Sequence, residues 1–228
     1  MIGLSERLLA VASLVRGGGP LADIGTDHAY LPIYLVQNGI IPRAIASDIG
    51  AGPLANAEKA VELCGLGDRI ELRLSDGLKS YRPEEVNEIV ICGMGGNLIE
   101  EILLAAPWVR RRETHLVLQP MTHAEDVRRY LCENGFQINT EVCVAEKGRV
   151  YLALDAVWMD LANTKTEGYY YFGSLPGRDG PAARYVRSQL QWVHTRLEAL
   201  RAAERFPEEQ AMLRRVLRDY YGENNESI

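Results

Sequence analysis

"LADIGTDHAYLP", residues 21–32, is the stretch on which the reading of this chain turns. Asp23 and Gly25 are spaced as in the turn after the first strand of a nucleotide-binding sheet. A dinucleotide fingerprint would continue with more glycine, so that backbone could approach a pyrophosphate. This loop instead carries Asp27, His28 and Tyr30. A carboxylate there repels phosphate. The loop suits a ligand that is cationic where a dinucleotide is anionic.

Working outward from this loop, apolar runs alternate with helical patterns. Leu4, Leu8, Val11 and Val15 recur at helical spacing, and Glu6 and Arg7 interrupt what could pass for a signal peptide, so an amphipathic first helix is expected. "PLADIG", "RAIASDI", "RIELRLSDG", "EIVICGMGG" and "THLVLQP" read as strands one to five, with helices between most of them. Pro53 in the first turn and Gly65 at the end bound the helix after strand two. Strands separated by helices imply right-handed crossovers and a parallel sheet. "FQINTEVCVAEKG" and "RVYLALDAVWM" are joined by a tight turn at Lys147-Gly148, and a short turn joins only antiparallel neighbours. A seven-strand, mostly parallel sheet with one antiparallel strand describes the Rossmann-like class I methyltransferase fold. The expected division is a catalytic domain over residues 1–159, then a linker and C-terminal helical hairpin over 160–228. Ala183, Val186, Leu190, Val193, Leu197 and Leu200 form a seam at alternating spacings of three and four, continued by Leu213, Leu217 and Tyr220.

Composition sets the outer limits. The chain has 228 residues and a net charge of −6, which taken alone disfavours a nucleic-acid partner. The charge is unevenly spread: residues 1–159 hold 15 basic and 21 acidic side chains, whereas 160–228 hold ten of each. Eight arginines lie between 184 and 218, and Arg110–Arg112 form a separate run. No stretch approaches the roughly 20 apolar residues that cross a bilayer. Cys64, Cys92, Cys132 and Cys143 form no close pair, so reduced thiols in a cytoplasmic protein and no metal are expected, with Cys92 and Cys143 buried in apolar strands.

In a doubly wound sheet the ligand sits at the carboxyl ends of the strands. Asp48 ends strand two, 23 residues past Gly25, where an acid accepts bonds from both hydroxyls of a ribose. Strand three ends in Ser75-Asp76-Gly77, whose carboxylate could take the amine of adenine, and strand four in Gly93-Met94-Gly95-Gly96, almost bare of side chains. This set points to an adenosine-containing cofactor. The anionic loop selects S-adenosylmethionine, which carries a sulfonium and an ammonium but no phosphate.

"LSERLLAVASLV", "ADIGTDHAYLP", "AIASDIGAGPLANA", "RLSDGL", "ICGMGGNLIEEIL" and "LVLQP", in this order, resemble the bacterial TrmK family, to about residue 158. That resemblance implies an S-adenosylmethionine-dependent enzyme that methylates N1 of adenine 22 in tRNA. Met121 departs from the Asn expected after Gln119-Pro120, and Thr26 and Asp48 stand where Ser and Glu are expected. The expected cofactor contacts are Asp23, Gly25, Thr26, Asp48, Ile49, Ser75, Asp76, Gly77, Gly93 and Met94. The expected catalytic residues are Asp27, to offset charge on the purine, His28, to orient cofactor or base, and Tyr30, to stack on a ring. A helix cap is the alternative for Asp27, and a packed helix start the alternative for His28 and Tyr30. Arg7 and the hairpin arginines are the expected grip on tRNA. Monomer and weak dimer both remain open. Two rival readings also remain: a methyltransferase of small molecules, with the hairpin as lid or dimer contact, and a non-catalytic binding module on the same fold.

Overall fold

The computed structural model describes residues 2–175 and 179–222. Part of the expected linker, at 176–178, and the last six residues fall outside them. The elements run α1 (Glu6–Leu14), β1 (Leu21–Ile24), α2 (Tyr30–Gln37), β2 (Ala44–Asp48), α3 (Ala51–Leu63), β3 (Ile70–Leu74), β4 (Glu88–Gly95), α4 (Gly96–Leu104), β5 (His115–Thr122), α5 (Ala124–Glu133), β6 (Phe136–Glu146), β7 (Arg149–Trp158), α6 (Glu167–Phe172), α7 (Gly180–Ala202) and α8 (Pro207–Tyr221). No helix among the described residues is long and apolar enough to cross a membrane.

The sheet order is β3-β2-β1-β4-β5-β7-β6, and β7 runs antiparallel to both of its neighbours. The reversed strand follows from the turn at Lys147 and Gly148, both at positive φ (48° and 81°), as a tight hairpin turn requires. The strand order reverses at β1, which pairs with β2 on one side and β4 on the other. The crevice between the carboxyl ends of β1 and β4 is therefore the place for a ligand.

Alternation along β4 shows how the sheet is buried on both faces: Ile89 and Ile91 belong to one apolar core, and Val90 to the other. Helices α4 and α5 cover the first face through Ile99, Leu103, Val127 and Leu131. Helices α1, α2 and α3 cover the second through Val11, Ile33 and Val61. At the amino ends of the parallel strands, register sets Glu88 beside His115, while Asp155 of β7 lies two residues off that row, opposite Val117. His115 is buried there, with its ring nitrogens 2.6 Å from Glu88 and 2.9 Å from Asp155. The thiols are free; Cys132 is buried, while Cys92 and Cys143 are only half-buried.

Beyond β7, the stretch read as a linker contains α6, whose Tyr170, Tyr171 and Phe172 are buried. Tyr171 and Phe172 join Val193, Leu197, Leu200, Leu213, Val216 and Leu217 of α7 and α8 in a separate core. Val186 and Leu190 of the seam are half-buried, and Tyr220 is 43% exposed. A polar clamp ties this unit to the sheet. Arg128 of α5 is fully buried, bonds Glu141 of β6 at 2.6 Å, and donates to the carbonyls of Tyr170 (2.8 Å) and Tyr171 (3.2 Å). Its guanidinium also sits over the Tyr185 ring of α7, 5.8 Å from the centroid. The second Glu141 oxygen accepts the Ser174 N–H at 2.8 Å.

A buried ion pair that loses one partner leaves a charge without compensation. Arg128→Met should therefore cost about 3–5 kcal/mol in urea unfolding. Arg128→Met with Glu141→Leu should recover most of that. A loss under about 1 kcal/mol in the single variant would show that the clamp does not hold the two units together.

Candidate active site

Each site residue is placed by a strand end. Gly25 closes β1 at φ +78°, and its N–H and that of Thr26 both bond the Ser47 carbonyl at 2.8 Å, which locks the loop onto β2. A Cβ at Gly25 would fall 2.1 Å from the Met94 Cε, so the absence of a side chain lets β4 close over β1 here. Met94 belongs to an irregular end of β4, where register with β5 shifts twice. Gly96 is bare for another reason: a Cβ there would meet the His123 carbonyl oxygen at 2.2 Å. Gly96 thus serves close packing, whereas Gly93 lines a cavity.

A cavity of about 370 Å³ opens at this point, lined by Asp23, Gly25, Thr26, Asp27, His28, Tyr30, Cys92, Gly93 and Arg7. The loop is folded so that Asp27 is not a cap. Helix α2 starts after Ala29, which takes a left-handed conformation (φ 52°), and the Ala29 N–H bonds the Thr26 hydroxyl at 3.1 Å. The Asp27 side chain stays 68% exposed, with His28 Nε2 3.3 Å away. His28 and Tyr30 do not pack into a helix start: their rings stack in parallel, 5.0 Å apart and 12° from coplanar, and Tyr30 is 43% exposed. Two conjugated rings therefore stand at the mouth of the cavity beside a carboxylate that caps no helix.

Asp23 is the buried acid of the site. Burial raises its pKa to about 6, only partly opposed by a hydrogen bond with Thr26, and nearby Asp48 pushes it further upward. A cation arriving beside it would favour the ionised form. Cys92 is no nucleophile, because burial pushes its thiol up to about 12 despite the neighbouring Arg7.

The remaining expected residues lie outside this cavity, along the adjoining strand ends. Asp48 caps the turn into α3, accepting the Gly50 N–H at 2.7 Å through one oxygen, and Ile49 beside it is 71% exposed. Ser75 is buried and its hydroxyl serves its own turn, donating to the Gly77 carbonyl (2.8 Å) and accepting from the Ser80 N–H (3.2 Å). Asp76 is half-exposed and ion-paired with Lys79 at 2.5 Å. Gly77, at φ +57°, follows on the face covered by Ile102.

Arg7 is where the structure departs most from the sequence reading. It does not face outward. Its Nη1 donates to the Gln119 Oε1 (2.7 Å) and the Cys92 Sγ (3.1 Å), which places the guanidinium in the cavity wall. The only local hint in the sequence is its place on the first helix; what brings it inward is the lie of α1 across the sheet, pinned by the Arg7 N–H on the Glu146 carboxylate at 2.8 Å. In the Arg110–Arg112 run, Arg110 bonds Asn134 at 2.8 Å and Arg111 donates to the Pro83 carbonyl, while Arg112 is exposed.

The arrangement fits S-adenosylmethionine on its donor set. Asp48 keeps one oxygen free for a ribose, while Asp23 and Arg7 offer opposite charges to an ammonium and a carboxylate. Residues 4–154 match the methyltransferase domain family. The tRNA (adenine(22)-N(1))-methyltransferase of Bacillus subtilis is 41% identical over 153 residues, which cover 67% of this chain and 64% of that enzyme. The crystal structure of the B. subtilis M1A22 tRNA methyltransferase TrmK superposes with a TM-score of 0.83 at 31% identity, covering 96% of each chain. M. capricolum TrmK, solved with S-adenosyl-homocysteine, superposes at 0.76 with 29% identity, over 95% of this chain and 97% of that one. With a domain match over residues 4–154 and a superposition that covers 96% of each chain, this chain belongs to the TrmK family of methyltransferases.

Proposed function

We propose that this protein transfers a methyl group from S-adenosylmethionine to N1 of an adenine in tRNA, at position 22 as named for the B. subtilis relative. Residues 1–159 act as the catalytic domain, and 160–228 as a linker and helical unit that helps hold the tRNA; the reaction is placed in the cytoplasm. The observation that carries the reading is the cavity at the β1–β4 switch, where a carboxylate left free of capping stands beside two stacked rings.

When bound, the cofactor supplies a methyl group on a sulfonium, an electrophile that a neutral ring nitrogen can attack. N1 of adenine has a free lone pair, so these residues need not remove a proton first. Their work is alignment, and stabilisation of charge on the purine. Asp27 accepts the adenine amine and faces the positive charge that develops. The His28–Tyr30 stack gives the base a face to lie on. Asp23 and Arg7 hold the amino-acid end of the cofactor, with Asp48 and Asp76 at the adenosine end. The target base must leave its stack to reach this cavity.

Tritiated methyl transfer to unmodified tRNA, followed by nucleoside analysis, tests the reading directly, with 1-methyladenosine as the expected product. Label appearing only in small-molecule acceptors would overturn it in favour of the rival methyltransferase.

Asp27→Asn keeps the size of the side chain and removes its charge. Charge that appears only in the transition state affects turnover rather than ground-state affinity. Methyl transfer should fall by about 10²–10³, the scale of one lost electrostatic contact, with cofactor affinity within a few-fold of the parent. Parallel loss of both would make Asp27 a cofactor ligand instead.

Asp23 sets a pH dependence on cofactor affinity. Its carboxyl is protonated below about pH 6 in the free protein, and an ammonium beside it requires the ionised form. Affinity measured by calorimetry should therefore rise with pH from 5 to about 6.5, with proton release, and then level. Asp23→Asn should flatten that rise. A parent affinity that is level across this range would remove Asp23 from contact with the ammonium.

A further inference from the structure

A second cleft, of about 670 Å³, lies beside the cofactor cavity, which is little more than half that volume. One wall is the β6–β7 hairpin, carrying Arg149 and Tyr151; the other is the start of α7, carrying Arg184 and Arg187. Met121 and Thr122, at the end of β5, close its inner end. Register pairs Met94 with Pro120 and Gly95 with Thr122, so this inner end is one strand away from the β4 wall of the candidate active site.

The cleft is one-signed. Its lining includes three arginines and no aspartate or glutamate, in a chain whose net charge is −6. None of the three arginines forms an ion pair among the described residues. Arg184 makes a single long bond, 3.3 Å to the Gly148 carbonyl. The acids at the start of α5, Glu125 and Asp126, are turned to His123 at 3.3 and 3.6 Å. Further along α7 the pattern is different: Arg196 is neutralised by Glu209 at 2.7 Å. Cations set on two facing walls without counter-charges favour an extended anion over a point ligand.

We infer that this cleft holds the sugar–phosphate backbone of the tRNA strand next to the target adenine. The inference rests on the tRNA reading above and assigns part of the grip to a defined place. Arg149 holds phosphate from the sheet side, and Arg184 and Arg187 hold it from the helical unit. A strand lying there reaches the end of β5, from which a base turned out of its stack enters the cavity between β1 and β4. Both units must then be present and fixed relative to one another for the track to exist, and the Arg128 clamp fixes them.

The test uses the full-length chain and unmodified tRNA. Phosphate contacts appear in the salt dependence of binding, at about 0.7 in the log–log slope per contact to a single strand. R184Q/R187Q should make the slope shallower by about 1.4 and raise KM for tRNA about tenfold. Its kcat at saturating tRNA and its cofactor affinity should stay within twofold of the parent. R184K/R187K should keep the parent slope, because a phosphate reads charge rather than shape. An unchanged slope in the glutamine variant, with a parent that forms 1-methyladenosine, would overturn the cleft alone. A glutamine variant that also loses cofactor affinity would count against it too, since the arginines would then serve packing. A parent that neither binds nor methylates tRNA would overturn the function on which the inference rests.

Discussion

The close approach of β1 and β4 at Gly25 and Met94 is the constraint on which the site depends. Strand order reverses at β1, so the two strand ends that flank it diverge into helices on opposite faces. The gap between them becomes a ligand cavity only if neither end fills it. Gly25 leaves room for the Met94 thioether, and the loop after Gly25 is tied back to β2 by two bonds to one carbonyl. That tie lifts Asp27, His28 and Tyr30 away from the sheet instead of letting them continue the strand. A side chain at position 25 would have to move the end of the Met94 side chain and would also have to enter a positive φ of 78°.

Much of the fold was legible because its signals are local. Each strand is a short apolar run with a punctuating Gly, Asp or Pro after it, and the reversed strand is announced by two residues, Lys147 and Gly148, that can take positive φ. The three-and-four seam gave the helical unit for the same reason. What the sequence did not disclose depends on register and on the lie of helices. Glu88, His115 and Asp155 look like unrelated polar residues in three strands until pairing sets Glu88 beside His115 and brings Asp155, two positions away along β7, within reach of the same ring. Arg7 reads as a surface cation on an amphipathic helix until α1 is laid across the sheet. The bare Gly93–Gly96 stretch gives no sign in the sequence that Gly93 lines the cavity while Gly96 packs against the carbonyl of His123.

The Asp27 loop illustrates how a small conformational choice opens a chemical one. Asp followed by a helix ordinarily caps it, and a carboxylate bonded to backbone amides has little left to offer a substrate. Here Ala29 adopts the left-handed conformation that a non-glycine residue enters at a cost of order 1–3 kcal/mol. The helix consequently begins at Tyr30, three residues after Asp27, with Ala29 in the cap position. The strain is local and small, and its result is an acid whose hydrogen-bonding capacity remains available at the mouth of the cavity.

The Arg128 clamp gives the junction between sheet and helical unit an all-or-none character. An apolar interface can slide by fractions of an ångström with a gradual loss of contact. A fully buried guanidinium held by a carboxylate and two backbone carbonyls has no intermediate position in which its charge stays satisfied. Small rotations of the helical unit therefore meet a steep wall, while a large one would expose the whole polar cluster to water at once. The clamp therefore defines one angle for the helical unit, the one at which Glu141 and the carbonyls of Tyr170 and Tyr171 meet the same guanidinium.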